Sequence, residues 1–310
     1  VDALSDVLNT IHFKSTVYCH AELTAPWGVR MNSHPGHVGF LMVMRGGCLL
    51  EREGQSGYTS MAAGDLVLSP MGAAYSIKDA PVSPVVDLMS VITPEAAAKK
   101  KLVLGGGGTS TNLILGCSEF QTSGQNPFFN SLPDILHVKA EDLQSEPWLD
   151  MTFRFLAAET SNERQGASVI ISRLADLLFI QGVRAYISRL KDCPQSTGWL
   201  KALADPQIGQ ALSLIHANPE SPWTVALLAA AVSMSRSSFA ARFTQLMQTS
   251  PVEYVTSWRM QKAEDLLKQG SINPSEIASL IGYQSEAAFR KAFKRETGVT
   301  PGAVRKTVSV

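Results

Sequence analysis

One pattern occurs twice in the C-terminal third of the chain, and few folds can accommodate it. Leu228 to Phe243 reads Leu-Ala-Ala-Ala-Val-Ser-Met-Ser-Arg-Ser-Ser-Phe-Ala-Ala-Arg-Phe. Ile277 to Phe293 reads Ile-Ala-Ser-Leu-Ile-Gly-Tyr-Gln-Ser-Glu-Ala-Ala-Phe-Arg-Lys-Ala-Phe. Each copy predicts a short apolar helix, a tight turn at a small residue, and a second helix that starts after a serine and buries two phenylalanines four residues apart. Ala229 and Ala278 are small enough to let the paired helices approach closely. This is the layout of a helix-turn-helix, whose second helix enters the major groove of double-stranded DNA. One copy alone could be any two packed helices. Two copies with capping residues and a bridging helix carry the reading much further.

The local signals place both motifs closely. Thr224 is a candidate N-cap for a helix over Val225–Ala231, Ser233 occupies the turn, and Ser235 caps the reading helix. With Phe239 and Phe243 inward, the exposed face holds Ser237, Ala240, Ala241 and Thr244, with Arg236 and Arg242 as phosphate contacts or partial base readers. Asn273-Pro274-Ser275-Glu276 opens the second motif as an N-cap followed by proline at the first helical position. Gly282 stands where Ser233 stood, and the second turn is one residue longer. The second reading helix is expected over Ser285–Glu296. Ser285, Glu286, Ala287, Arg290, Lys291 and Lys294 are its groove candidates, and Arg290 and Lys291 can donate to guanine or phosphate. Between the motifs, Pro251–Lys268 predicts a long helix that stops before Gly270 and is anchored by Val252, Val255, Ala263, Leu266 and Leu267.

Charge distribution agrees with this reading. The chain is neutral overall, yet from Asn218 onward it has eleven basic against seven acidic residues, leaving sixteen against twenty before it. A basic C-terminal part suits a polyanion, although many enzymes show as much asymmetry. At 310 residues the length suggests about two domains. No apolar run approaches the roughly 18 residues of a membrane span. The segment Val1–Lys14 carries Asp2 and Asp6 and lacks a signal-peptide core, so a cytoplasmic protein with no membrane partner is expected. Because the chain starts at Val1 rather than a methionine, its numbering is expected to begin inside a longer product or after processing. Cys19, Cys48, Cys117 and Cys193 form no CxxC and no metal-ligand spacing, which predicts reduced buried thiols. Cys117, following Gly116, is the one redox or metal candidate among them.

The N-terminal part has a different texture. Leu4, Val7, Leu8 and Ile11 mark a short amphipathic helix. Short β-prone runs follow at Thr16–Ala21, Val38–Arg45, Cys48–Arg52, Leu66–Ser69, Ala74–Ile77, Val85–Ile92 and Asn112–Phe120, separated by Gly, Pro and Asn. Many short strands without a helical period argue for a β-sandwich or barrel. Gly105–Gly108 lacks the Lys-Ser/Thr of a phosphate loop and reads as a flexible connection before the last strand. Helical periodicity returns in Trp148–Thr160, with Leu149, Phe153 and Leu156 inward. A longer helix over Gly166–Leu190 turns Ile171, Leu174, Leu178, Gln181 and Ala185 to one face, which either packs within the chain or forms part of a dimer interface. Gly198–Asn218 predicts a further apolar helix broken near Pro206.

Two resemblances organise these readings. Arg45-Gly46-Gly47-Cys48 and Ala63-Gly64-Asp65-Leu66-Val67-Leu68-Ser69-Pro70-Met71-Gly72 resemble the turn–strand–turn pattern of a cupin barrel. Metal-binding cupins place histidines on the strand before the first turn and just after the second. Leu41-Met42-Val43-Met44 and Ala74-Tyr75 stand there instead. His34 and His37 read as exposed loop residues, so no metal and no cofactor are expected. A barrel lined by Trp27, Met42, Met44, Met71 and Tyr75 either binds an apolar small molecule or is a plain packed core. In the C-terminal part, Arg259-Met260, Ala263, Ile281-Gly282-Tyr283-Gln284-Ser285, Phe289-Arg290-Lys291-Ala292-Phe293 and Gly298-Val299-Thr300-Pro301 resemble the AraC/XylS family. The sequence departs from that family at Ser233, where a glycine is usual, and at Ala303-Val304, where an aromatic often precedes the last arginine.

The resemblance implies an α+β chain of two parts. A cupin-like β-barrel with helices, over 1–200, would precede an all-α DNA-binding domain over 205–307, with two helix-turn-helix motifs joined by a long helix. The implied function is sequence-specific transcription control, as an activator governed by a small-molecule effector. Its implied partners are double-stranded DNA, RNA polymerase and a second copy in a homodimer. A cupin-type small-molecule enzyme and a dimerisation module that senses nothing are the competing readings of the N-terminal half.

Overall fold

The protein is described by a computed structural model that covers residues 2–9, 12–121, 127–143, 151–152, 154–156, 158–159, 165–193, 195–270 and 272–306. The chain divides into two units that are not consecutive stretches. One comprises Phe13–Gln121 and Leu132–Tyr186, and the other comprises Val1–His12, Thr122–Ser131 and Ile187–Val310.

The sheet unit grows from short alternating strands. After helix α1 (Ala3–Asn9), which belongs to the other unit, come β1 (His12–Thr24), β2 (Gly28–Met31), β3 (His37–Arg45), β4 (Gly47–Arg52), β5 (Thr59–Ala62), β6 (Leu66–Ser69), β7 (Tyr75–Lys78) and β8 (Val86–Asp87). Helices α2 (Leu88–Val91) and α3 (Pro94–Lys99) lead to β9 (Lys101–Gly105) and β10 (Ser110–Gln121). Helix α4 (Pro127–Asn130), β11 (Leu136–Val138), α5 (Ala140–Leu143) and α6 (Ala167–Leu190) follow. One sheet has the order β11-β6-β3-β10-β1-β9 and the other β5-β4-β7-β2-β8. Alternate residues from both fill a common core: Leu41, Val43, Leu113 and Leu115 from the first meet Val29, Leu50, Tyr75 and Ile77 from the second. The opposite face of the six-stranded sheet is also apolar. Helix α6 comes so close to it that a Cβ on Gly182 would strike the side chain of Leu68.

Turn chemistry supports the cupin-like arrangement. Gly46, between β3 and β4, has φ 79°. A side chain there would meet the Ser110 carbonyl at 2.8 Å. Asp65, only 5 % exposed, accepts from Ala62 N at 3.1 Å, Ala140 N at 2.9 Å and His137 Nε2 at 2.9 Å. It thereby joins the β5–β6 turn to the segment after β11. Two sequence expectations are corrected in this unit. Val85–Ile92 is not one strand: Asp87 accepts from Met89 N at 2.7 Å and starts helix α2. The four-glycine run is not a loose connection. Gly106 N and Gly107 N each donate to Thr24 at 3.0 Å, and Gly108 N donates to the Ala25 carbonyl at 2.9 Å. The glycines let two backbones meet without intervening side chains.

Residues 151–152, 154–156 and 158–159 of the expected Trp148–Thr160 helix are helical and Leu156 is fully buried. Leu149 and Phe153 lie outside the described residues. On α6, Ile171 and Leu178 are buried as expected, but Leu174, Gln181 and Ala185 are only half-buried, and the packed face turns toward Ala175, Phe179 and Val183. All four cysteines are free, and Cys193 is exposed rather than buried.

The helical unit follows its local signals. Helices α7 (Trp199–Ala204) and α8 (Pro206–Ala217) are separated by Asp205, which accepts from Gln207 N at 3.1 Å and Ile208 N at 2.9 Å. Then come α9 (Val225–Ala231), α10 (Arg236–Met247), α11 (Pro251–Gln269), α12 (Pro274–Leu280), α13 (Glu286–Thr297) and α14 (Pro301–Lys306). Helix α11 begins with a reciprocal capping box between Ser250 and Glu253 and ends at Gly270, φ 71°. Its Val255, Ala263 and Leu267 are buried, together with Tyr254, Trp258 and Met260. Val252 is 52 % exposed and anchors nothing, because it lies on the outer face of the first turn. Among the described residues, no helix is long and apolar enough to cross a membrane.

Candidate nucleic-acid interface and barrel cavity

The two helix-turn-helix motifs share one construction. In the first, Thr224 caps α9 by accepting from Leu227 N at 3.2 Å, and Met234 N closes the turn on the Ala229 carbonyl at 2.9 Å. Ser235 then caps α10 by accepting from Ser238 N at 3.2 Å. In the second, Asn273 accepts from Glu276 N at 2.8 Å, Tyr283 N donates to the Ala278 carbonyl at 2.8 Å, and Ser285 accepts from Ala288 N at 3.2 Å. Phe239 and Phe243 are fully buried, as are Phe289 and Phe293, and each pair has ring centroids 5.6 Å apart. Ser233, φ 56°, takes the left-handed turn that Gly282 takes at φ 82°. The extra residue of the second motif falls after this turn, before the cap of α13.

The fixed phenylalanines align the reading helices residue by residue. Ser237, Ala240, Ala241 and Thr244 stand where Ala287, Arg290, Lys291 and Lys294 stand in the second motif. Ser237, Ala241 and Thr244 are exposed and Ala240 is half-buried; Ala287, Arg290, Lys291 and Lys294 are all exposed. Arg290 Nε donates to Glu286 Oε1 at 2.7 Å along the helix. Among the described residues, Lys291, Lys294 and Arg236 have no ion-pair partner and offer free positive charge. Arg242 has a partner that its own stretch of sequence does not show. Its guanidinium is held by Asp205, with Nε to Oδ2 at 2.7 Å and a second bond from Nη2. Its counterpart Ala292 is buried, so this position lies on the flank of the helix beside α8 rather than on the outer face.

Helix α11 holds both motifs. Tyr254 packs on Phe243, ring centroids 5.8 Å apart. Met260, Ala263 and Leu267 enter a core with Ile277, Phe289 and Phe293. Arg259 donates to the Pro219 and Ser221 carbonyls, both at 2.7 Å. A buried polar knot completes the frame: Trp199 Nε1 donates to Tyr254 Oη at 2.6 Å, and His216 Nε2 lies 2.8 Å from the same oxygen. The His216 ring stacks on Trp258 at 3.6 Å. Asp6 Oδ2 is 3.7 Å from His216 Nδ1, and Lys262 Nζ is 3.3 Å from Asp6 Oδ1. Burial pushes the His216 imidazole below its ordinary range, and the Asp6 carboxylate offsets only part of that shift.

The sheet unit contains a cavity of about 170 Å³ at the His37 end of β3. Met31, Phe40, Leu88, Met89, Ile92 and Leu115 give it an apolar wall. Of the five residues expected to line it, Tyr75 alone does. Trp27 packs in the core between the sheets. Met42, fully buried, and Met44, half-buried, alternate onto the face opposite Leu41 and Val43. Met71 is 41 % exposed on the turn after β6. The loop histidines, unremarkable in sequence, belong to the lining: His34 is exposed at the rim and His37 is half-buried, their rings 6.0 Å apart. Gly39, Gly72, Ala73 and Gly116 complete the lining; at Gly72 and Gly116 a Cβ would strike the His34 carbonyl and the Phe40 ring. Among the described residues, no group of three His, Cys, Asp or Glu side chains could hold a metal ion.

A cupin-type sheet unit followed by two helix-turn-helix motifs on one bridging helix defines a class of DNA-binding regulator. A family model described as a cupin matches residues 2–188, and one described as a helix-turn-helix domain matches residues 228–307. The HTH-type transcriptional regulator AlkR of Acinetobacter baylyi is 32% identical over 311 residues, covering 99% of each chain. A putative AraC-like transcription regulator of Streptomyces lividans is 32% identical over 306 residues, covering 99% of this chain and 98% of the relative. A solved structure, the DNA-binding domain of AdpA in complex with a target DNA, is 30% identical and covers 33% of this chain and 92% of its own, with a TM-score of 0.31. The chain belongs to the AraC-type family of transcriptional regulators, with an N-terminal cupin domain and a C-terminal DNA-binding domain.

Proposed function

We propose that the protein is a sequence-specific activator whose DNA binding is governed by a small molecule held in the N-terminal part. In this reading residues 1–200 sense and dimerise, and residues 205–307 bind double-stranded DNA. Helices α10 and α13 enter two successive major-groove segments on one face of the duplex, roughly 34 Å apart. The observation that carries the reading is the pair of identically capped helices with outward faces free of packing.

The two readers divide the work. Ser237, Ala240, Ala241 and Thr244 give α10 an uncharged face suited to close contact with base edges and thymine methyl groups, flanked by Arg236 on the phosphates. On α13, Ser285, Glu286 and Ala287 approach the bases at the first turn, while Arg290, Lys291 and Lys294 take phosphate and guanine. Arg242 acts on DNA through the position of α10 rather than by contact. The exposed Ile170 and Leu177 of α6 support a homodimer through that helix, and RNA polymerase would be the partner of the DNA-bound activator. Electrophoretic titration of the full chain against DNA with and without a bound small molecule tests the coupling. A ligand that binds and leaves the DNA affinity unchanged would assign the N-terminal part to dimerisation alone.

A further inference from the structure

The entry to the first helix-turn-helix motif lies against the turn of the second. Between α8 and α9 the chain closes on itself: Ser221 N donates to the Asn218 carbonyl at 3.2 Å, Trp223 N to the Ser221 carbonyl at 2.7 Å, and Trp223 Nε1 to the Asn218 carbonyl at 2.9 Å. Thr224, the cap of α9, follows directly, so this loop sets where the first motif begins. A Cβ on Gly282, at the second turn, would come within 2.5 Å of the Glu220 carbonyl oxygen and 2.9 Å of the Glu220 Cα. Arg259, in the middle of α11, holds the same loop with both arms of its guanidinium: Nε donates to the Pro219 carbonyl and Nη2 to the Ser221 carbonyl, each at 2.7 Å. It is half-buried, and its Nη2 would lie 3.0 Å from a Cβ on Gly282. The first turn is placed differently. Ser233 is exposed, and the Val232 carbonyl before it accepts from Gln207 Nε2 of α8 at 3.1 Å. What the two turns touch accounts for a glycine at one and a serine at the other.

We propose that Arg259 is a positioning residue that fixes the two reading helices at one separation and angle, by clamping the entry loop of the first motif onto the turn of the second. This rests on the reading of α10 and α13 as paired DNA readers and adds the residue that sets their spacing. Helix α11 joins the motifs through its packed face, and the clamp supplies a second point of attachment. One attachment permits rotation between two bodies; two restrain it. The planar fork suits this role, because one guanidinium reaches two carbonyls at a fixed angle, which a lysine ammonium on its flexible stem does not reproduce. A rigid link makes the arrival of the second reader effectively intramolecular, and that gain shrinks when the link lets the readers wander.

The test titrates the full chain into DNAs derived from the site that the natural protein selects from random sequence. They carry both elements at the selected spacing, both elements one base pair further apart, or either element alone. The natural protein should bind the selected spacing at least about 10-fold more tightly than the lengthened one. Arg259→Gln should bind the selected spacing roughly 5- to 50-fold more weakly and prefer it over the lengthened one by less than about threefold. Each single element should be bound within about twofold of the natural protein, since either reader alone is indifferent to their separation. The slope of log affinity against log salt should stay unchanged, because Arg259 holds carbonyls rather than phosphates. Arg259→Lys should fall between the two proteins, and it carries the same test should the glutamine variant fail to fold. Full spacing preference in the glutamine variant, equal losses on single and paired elements, a lysine variant indistinguishable from the natural protein, or a slope reduced by about 0.9 would each overturn the proposal. A natural protein that binds both elements no more tightly than one alone would remove the two-reader reading, and the clamp with it.

Discussion

Two residues at equivalent turns show how much backbone geometry matters in each motif. Gly282 has φ 82°, and a Cβ there would come within 2.5 Å of the Glu220 carbonyl oxygen and 3.0 Å of the Arg259 guanidinium. Gly282→Ala should therefore lower unfolding free energy by about 2–4 kcal/mol, combining a left-handed penalty of about 1–2 kcal/mol with overpacking. Ser233 already bears a Cβ at φ 56°, so Ser233→Gly should raise stability or leave it unchanged, within about 1 kcal/mol. Urea denaturation of both variants checks the contrast, and equal effects would remove the distinction between the turns. At the groove face, Lys291→Ala and Lys294→Ala should weaken binding to every DNA sequence. Each should also reduce the slope of log affinity against log salt by about 0.9. Substitutions at Ser237 and Ala241 should instead alter which sequence is preferred while the salt slope stays put. Lysine variants with unchanged affinity and slope would place the DNA face elsewhere.

At the scale of elements, α10 is held from the side. Asp205 caps α8 and also holds Arg242 of α10, so a single carboxylate sets the relation of two helices. Removing the exposed partner, Arg242→Ala, should lower affinity for the DNA segment read by α10 and spare the segment read by α13. Base-substituted operators separate the two effects, and equal losses on both segments would contradict a positioning role. The polar knot on α8 and α11 gives a pH dependence. His216 is buried neutral and its folded-state value is depressed, so the unfolded chain takes up its proton first as pH falls. The stability it contributes is complete above its ordinary value of about 6.5 and declines below it. The urea-midpoint gap between the natural protein and His216→Gln should shrink from pH 7.5 to pH 5.5; a gap that widens would reverse the sign. These couplings also mark where sequence reading stops. The motifs were legible because their signals are local: caps, turn residues and paired phenylalanines lie within a few residues of one another. The pairing of Arg242, read from sequence as a phosphate contact or partial base reader, is hidden because Asp205 lies 37 residues away. The strands β2, β5, β9 and β11 have three to five residues each, too few for alternation to register. The cavity draws its lining from β2, β3, β10, α2 and the turn after β6, so no single stretch of sequence reveals it.

At the scale of the molecule, a DNA-binding part with two candidate reading helices is joined to a sheet part with a cavity. The unequal faces of α10 and α13 mean that one chain would contact DNA in two chemically different ways. In the proposed reading, α13 would supply charge and α10 would supply fit. This division requires that both helices occupy grooves at once, at a separation set by the rigid α11 between them. The most direct measurement is selection of bound sequences from random DNA by the full chain, followed by footprinting of the selected site with a five-base-pair insertion at its centre. Two base-specific elements per chain are expected, centred about one helical turn apart. The insertion, which rotates one element to the opposite face of the duplex, should cost most of the specific affinity. A single element per chain, or an insertion tolerated without loss, would contradict the claim that this protein reads DNA with both helices together.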